Sequence, residues 1–137
     1  MSPALVLDSS AVVEYLRATA VGEQVATAMS GTATSLHVPH LCAIEVASAL
    51  RGLVSGKKLD ATRAEAALSD LADLPATRHP AEPFLPRIWE LRRNLTTYDA
   101  AYVALAEALD ATLITADRKL APKYGHHARV QVVVDDG

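Results

Sequence analysis

The sequence predicts an α/β fold in which a parallel sheet carries helices on both faces. Short apolar segments of strand length alternate with longer amphipathic segments along all 137 residues, the pattern left by strand–helix–strand units. Several of the short segments are apolar without interruption, such as Leu5-Val6-Leu7 and Val132-Val133-Val134, as strands buried on both faces require. Half of the residues are hydrophobic and 21% are charged, a globular composition. A chain of this length is expected to form a single domain, residues 1–137, and to bury roughly two thirds of the surface it exposes when unfolded.

The elements follow in order. Ala4 to Leu7 reads as a buried strand ending at Asp8. Ser9 and Ser10 open a helix whose apolar side is Val12, Val13, Tyr15 and Leu16. A second helix spans about Ala20 to Met29 and is stopped by Gly31. Leu36 to Val38 is a second short strand bounded by Pro39. A long helix from about His40 to Val54 ends at Ser55-Gly56. Asp60 is placed to cap a helix over about Ala61 to Leu74. The breaker-rich segment Pro75 to Pro83 has room for one short edge strand around Thr77 to His79. Phe84 to Asn94 reads as one helix, and Thr96-Thr97 precede another from Tyr98 to Leu109. Ala111 to Thr115 is a strand followed by Asp117, Arg118 to Tyr124 is a short helical turn broken by Gly125, and Val130 to Val134 is the last strand.

Charge and cysteine content exclude several classes. The net charge of −3 does not announce a polyanion partner, although Lys57-Lys58, Arg92-Arg93 and Arg118-Lys119 allow a local basic surface; as isolated pairs they equally fit solvated helix faces. One cysteine, Cys42, permits no internal disulfide and no thiolate zinc cage. No leader is visible at Met-Ser-Pro-Ala-Leu-Val-Leu-Asp and no apolar run approaches the ~20 residues of a membrane span, so a reducing cytoplasm is the expected location.

The candidate chemistry lies in four acids. In an open α/β sheet, ligands bind outside the carboxyl ends of the strands. Asp8 follows the first strand and Asp117 the fourth, so parallel strands put both at one edge. Asp99 lies in the first turn of its helix and Glu45 well inside another; if both helices begin near that edge, all four converge. Clustered carboxylates raise one another's pKa, and a divalent cation relieves the repulsion. Oxygen-only ligands suit Mg2+, with Mn2+ as a substitute, rather than zinc, and such ions serve phosphodiester hydrolysis. Each acid has an ordinary reading too. Asp8 and Asp117 fit helix caps, Asp99 complements a helix dipole, and Glu45 fits a solvated helix position.

The segments around these acids resemble the motifs of PIN domains. Leu5-Val6-Leu7-Asp8-Ser9-Ser10-Ala11 resembles their opening strand and turn, and Ala43-Ile44-Glu45-Val46-Ala47-Ser48-Ala49-Leu50 their second acidic helix. Tyr98-Asp99-Ala100-Ala101-Tyr102-Val103-Ala104-Leu105-Ala106 resembles the third motif, and Leu113-Ile114-Thr115-Ala116-Asp117 the fourth. The small size resembles the VapC toxins of bacterial toxin–antitoxin pairs. The resemblance implies a three-layer α/β/α sandwich with a short, mostly parallel central sheet, and Mg2+-dependent cleavage of tRNA or ribosomal RNA. It also implies inhibition by a VapB-type antitoxin and a homodimer. Carried over, Asp8, Glu45, Asp99 and Asp117 are the metal-binding catalytic acids, with Ser9 and Thr115 orienting them. Arg118, Lys119 and Leu120 stand where some members carry a further acid, so a single ion is expected.

Rival readings fit less well. A receiver domain needs a Lys after the last strand, where Asp135 and Asp136 stand, and a haloacid-type phosphatase needs an acid where Ser10 stands. Flap-type DNA nucleases need long insertions. Zinc at His37, His40 and Cys42 competes with ordinary packing and strand-end roles, and His126-His127 reads as a wet turn. The alternative from another class is a non-catalytic PIN-fold module that binds RNA or protein, which would be free to lose one of the four acids. Arg17, Arg51, Lys57, Lys58, Arg92, Arg93 and Arg118 are the candidate phosphate contacts. At 4% aromatic residues a stacking platform is not expected. The apolar faces of the first four helices exceed what one sheet buries, which leaves surface for an antitoxin or a dimer.

Overall fold

The computed structural model describes residues 3–120 and 125–135. Five strands form one sheet: β1 (Ala4–Leu7), β2 (Ser35–Pro39), β3 (Ala76–His79), β4 (Thr112–Thr115) and β5 (Arg129–Val132). Their order is β3-β2-β1-β4-β5 and every pairing is parallel. The predicted, mostly parallel sheet is thus parallel throughout, and the breaker-rich segment does supply an edge strand. β1 sits in the centre with Val6 and Leu7 fully buried. The chain leaves β1 for β2 on one side and later returns to β4 on the other, so the topological switch point lies between β1 and β4.

The helices are α1 (Ser9–Arg17), α2 (Ala20–Met29), α3 (Leu41–Ser55), α4 (Ala61–Asp73), α5 (Leu85–Glu90) and α6 (Thr97–Leu109). α1 packs against α2, α3 and α4, and α5 packs against α6, which lies on β1, β2 and β4. Right-handed crossovers put the first group on one face of the sheet and the second on the other, giving three α/β/α layers. The apolar positions expected of α1 point inward: Val12, Val13 and Leu16 are buried. α6 is apolar all round over Ala100–Ala106 and correspondingly buried there. α2 crosses α1 at Gly22, where a Cβ would come within 2.0 Å of the Glu14 carbonyl oxygen.

Four expectations need correction. The single helix read over Phe84 to Asn94 is three pieces: a 3-10 turn at Glu82–Phe84, α5, and a second 3-10 turn at Leu91–Arg93. Pro86 has no N–H with which to continue the preceding turn, so α5 starts afresh with Pro in its first turn. Asp60 takes the cap position of α4, yet its side chain makes no capping hydrogen bond. The helical turn after Asp117 is a 3-10 turn at Arg118–Leu120; its expected continuation, 121–124, and the terminal 136–137 lie outside the described residues. The last strand stops at Val132, although the Val133 N–H still bonds the Thr115 carbonyl at 2.7 Å.

Candidate active site

Strand direction decides where the acids meet. α1 and α3 each follow a strand, so their N-termini lie at the carboxyl edge of the sheet. α6 leads through Asp110 and Ala111 into the start of β4, so it runs back and its N-terminus lies at that same edge. This resolves the condition left open by the sequence: all three acid-bearing helices begin where β1 and β4 end.

Asp8 stands at the switch point. It caps α1, accepting from the Ala11 N–H at 3.0 Å, so its ordinary reading as a cap also holds. The same oxygen, Oδ1, accepts from Ser10 Oγ at 2.7 Å, and Oδ2 accepts from Thr115 Oγ1 at 2.6 Å. Among the described residues, Asp8 and Thr115 are the two buried polar side chains, and they bond to each other. Thr115 also accepts from the Asp117 N–H at 2.9 Å, so one hydroxyl locates two acids. Asp117 Oδ1 accepts from the Lys119 N–H at 2.9 Å, in keeping with its reading as the cap of the following turn. Thr96 caps α6 by accepting from the Asp99 N–H at 3.1 Å. Glu45 lies in the second turn of α3, and its Oε1 accepts from the Tyr102 hydroxyl at 2.6 Å.

The electrostatics link all four acids. Burial, opposed by its hydroxyl and amide donors and reinforced by the Asp117 charge, pushes the Asp8 carboxyl above the usual range. Burial pushes Glu45 up as well, with Asp99 and Asp8 adding repulsion that Tyr102 and Ser9 partly offset. Asp99 is raised by burial and by Asp117, against the Thr96 hydrogen bond and Lys119. Repulsion therefore runs between Asp8 and Asp117, between Asp117 and Asp99, and from Asp99 and Asp8 onto Glu45, a closed ring of four acids.

The donor set is all oxygen and partly desolvated, the chemistry that suits a hard divalent cation. Its side chains are not yet gathered around a point. Among the described residues no group of three or more His, Cys, Asp or Glu is arranged to hold a metal ion. Mutual repulsion and local bonds explain this. Asp8 is turned to Thr115 and Ser10, Glu45 to Tyr102, and Asp117 to the Lys119 backbone.

The supporting residues differ in part from those expected. Thr115 donates to Asp8, and Ser9 acts on Glu45; Ser10, not among the expected supports, also donates to Asp8. Ser10 also comes within 3.3 Å of Thr115 and accepts from the Ala116 N–H at 3.0 Å, tying the α1 start to the β4 end. Tyr102 was not singled out. Its position three residues after Asp99 on one helix face was the available signal. Cys42 is buried beside Tyr102, which leaves it no role as a zinc ligand; burial pushes its thiol up to about 11. Among the basic residues, Lys119 reaches the field of Asp99, while Arg92 stacks on the exposed Trp89 ring at 4.6 Å. Ile44 and Tyr98, the residues just before Glu45 and Asp99, are 74% and 63% exposed.

Comparisons with known proteins agree with this architecture. The family model described as PIN domain matches residues 5–125. Ribonuclease VapC9 of Mycobacterium tuberculosis is 50% identical over 88 residues, covering 64% of this chain and 69% of that protein. Ribonuclease VapC12 of the same species is 37% identical over 129 residues, covering 94% and 98%. Among solved structures, VapBC2 from Rickettsia felis, crystallised with a DNA fragment from its promoter, matches with a TM-score of 0.66 at 12% identity, covering 97% of this chain and 99% of that one. At that identity the likeness is one of fold.

Proposed function

The chain belongs to the PIN-domain family, among its VapC ribonucleases, and from that premise we propose that it is a Mg2+-dependent endoribonuclease toxin that cleaves cellular RNA, tRNA or ribosomal RNA. The observation that carries the reading is the closed ring of Asp8, Glu45, Asp99 and Asp117 at the β1/β4 switch point. Asp8, Glu45, Asp99 and Asp117 would hold the ion, with Mn2+ as an alternative. When bound, a divalent cation supplies Lewis-acid charge against the phosphate and neutralises the acids.

The protein's own residues supply order. Thr115 and Ser10 fix both oxygens of Asp8 and so leave it little freedom to lose. Thr115 holds the Asp117 backbone at the same time, which sets the spacing of the two strand-end acids. Tyr102 holds Glu45 toward α6, beside Asp99. An ionised acid in the ring is available to accept a proton from water as it attacks phosphorus. Lys119, whose charge acts on Asp99, is a cation placed to meet an RNA phosphate.

Control by a VapB-type antitoxin and assembly as a homodimer belong to the same proposal. The exposed Ile44, Leu68, Trp89 and Tyr98 are apolar surface suited to such contacts. Among the described residues no helix is long and apolar enough to cross a membrane; a cytoplasmic place of action follows from the proposed RNA substrates.

The test is cleavage of total RNA by purified, antitoxin-free protein with Mg2+, Mn2+ or EDTA, beside Asp99→Asn. Discrete fragments that require metal and vanish in the variant are expected. Intact RNA with a folded wild type that still binds RNA would sink the nuclease reading and favour a non-catalytic module.

A further inference from the structure

The β2–β3 register brings together two histidines that lie 42 positions apart in the sequence. His37 pairs with Thr77 and His79 with Pro39, so the two rings stand diagonally on one face of the sheet. His37 Nδ1 and His79 Nε2 face each other at 2.9 Å, with ring centroids 5.1 Å apart and planes at 41°. On the far side of the first ring, His37 Nε2 is 2.9 Å from Ser35 Oγ.

We propose that His37 and His79 form a second cation site, separate from the carboxylate ring, for a borderline transition-metal ion of the zinc, nickel or copper class. The proton count supports it. In the tautomer that the site uses, the Ser35 hydroxyl accepts Nε2–H from His37, which leaves the Nδ1 lone pair aimed at His79. Two facing lone pairs at this distance repel, so one proton lies between them, carried as His79 Nε2–H. When His79 shifts to its Nδ1–H tautomer and the two rings turn so that both lone pairs converge to one side of the line between them, an ion binds there at about 2.0–2.1 Å from each nitrogen, and no net proton is lost. A histidine whose other ring nitrogen is held by an oxygen is the usual arrangement in metal sites.

The charge state is right as well. Burial, helped by the His79 imidazole at His37 and by the His40 imidazole at His79, holds both rings below the ordinary histidine range, which favours the neutral, ligand-competent form. Imidazole nitrogen selects zinc, nickel and copper over magnesium, the opposite preference to the acid ring two strands away. No third His, Cys, Asp or Glu completes the group among the described residues, so water fills the remaining positions and the affinity is modest. The consequence is mechanical. β3 is an edge strand held by one neighbour, and the ion ties it to β2.

The test uses the whole chain, stripped with EDTA, with Asp99→Asn as background so that the carboxylate ring is disabled. Micromolar Zn2+ at pH 7.5 should raise the Tm by several degrees and Mg2+ should not. Imidazole nitrogen spectra should show the resonances of His37 and His79, and not those of His126 or His127, shifting together. His79→Gln should abolish the Zn2+ response. Should this variant fail to fold, the spectra of the unaltered pair decide. An equal Tm rise in a folded His79→Gln protein, or Zn2+ that leaves both resonances in place, means adventitious ions only and overturns the site. None of these readouts depends on RNA cleavage.

Discussion

The Tyr102 hydroxyl donates to Glu45 Oε1 at 2.6 Å and joins α6 to α3 over the carboxyl edge of the sheet. The ring of Tyr102 is buried, so the bond is the fixed end of the contact and Glu45 the guided one. Tyr102→Phe removes only the donor. Its loss pushes the Glu45 carboxyl further up, since the hydrogen bond is what opposes burial and the Asp99 charge. RNA cleavage should fall roughly tenfold, the equivalent of about 1.4 kcal/mol, and its acidic limb should move to higher pH. A pH–rate profile checks this. An unmoved limb would leave Tyr102 a packing residue.

Thr115→Val keeps the shape of a fully buried side chain and deletes the donor to Asp8 and the acceptor for the Asp117 N–H. A hydrogen bond to a charged group contributes about 1.5–3 kcal/mol, so urea unfolding should show a loss of about 2–3 kcal/mol. Thr115→Ser, which retains the hydroxyl, should recover most of it. Equal stability of the Val variant and wild type would show that Asp8 finds another donor.

The raised acids make the metal-free protein less stable as pH increases. Asp8, Glu45 and Asp99 have folded-state pKa values above their ordinary ones, so the folded chain binds more protons than the unfolded chain in the window just above 3.8 to 4.5. Their contribution is present below that window and is lost as pH rises through the folded values. At pH 7, Asp99→Asn should therefore raise the Tm of the EDTA-treated protein while abolishing cleavage. Mg2+ should stabilise the wild type at that pH and have little effect on the variant. Calorimetry with and without Mg2+ decides; a destabilised Asp99→Asn would contradict the repulsion argument.

Gly22→Ala tests the packing of α2 on α1. The added methyl would meet the Glu14 carbonyl carbon at 2.6 Å as well as its oxygen, and both are backbone atoms with no rotamer to yield. Overpacking of this kind costs about 1–3 kcal/mol, measurable in a denaturant midpoint. Because the crossing lies away from the acids, metal-dependent cleavage by the remaining folded protein should be unchanged.

The strands and helices were readable because period and punctuation agree: Gly31, Pro39, Ser55-Gly56 and Thr96 stand at or beside real ends. The break within 82–93 was less visible, since Pro86 tolerates a first turn and the apolar spacing runs on. The four acids were recoverable from their motifs, but their supports were harder to assign. Ser9 and Ser10 are equivalent as letters; only the α1 geometry turns Ser10 to Asp8 and Ser9 to Glu45. Tyr102 looked like core because it is core, with one polar atom put to use. The His37–His79 contact depends on strand register, which no local pattern encodes.

The bond from Thr115 to Asp8 spans 107 positions of the chain. β1 must wait for β4, which follows it at a distance of 107 positions, before its acid has a partner. Closing so wide a loop costs entropy that is recovered only when both strands are present. During translation, then, an emerging chain carries Asp8, Glu45 and Asp99 without the strand that assembles them. Under the proposed activity, the topology itself delays assembly of the acid site until β4 has been made.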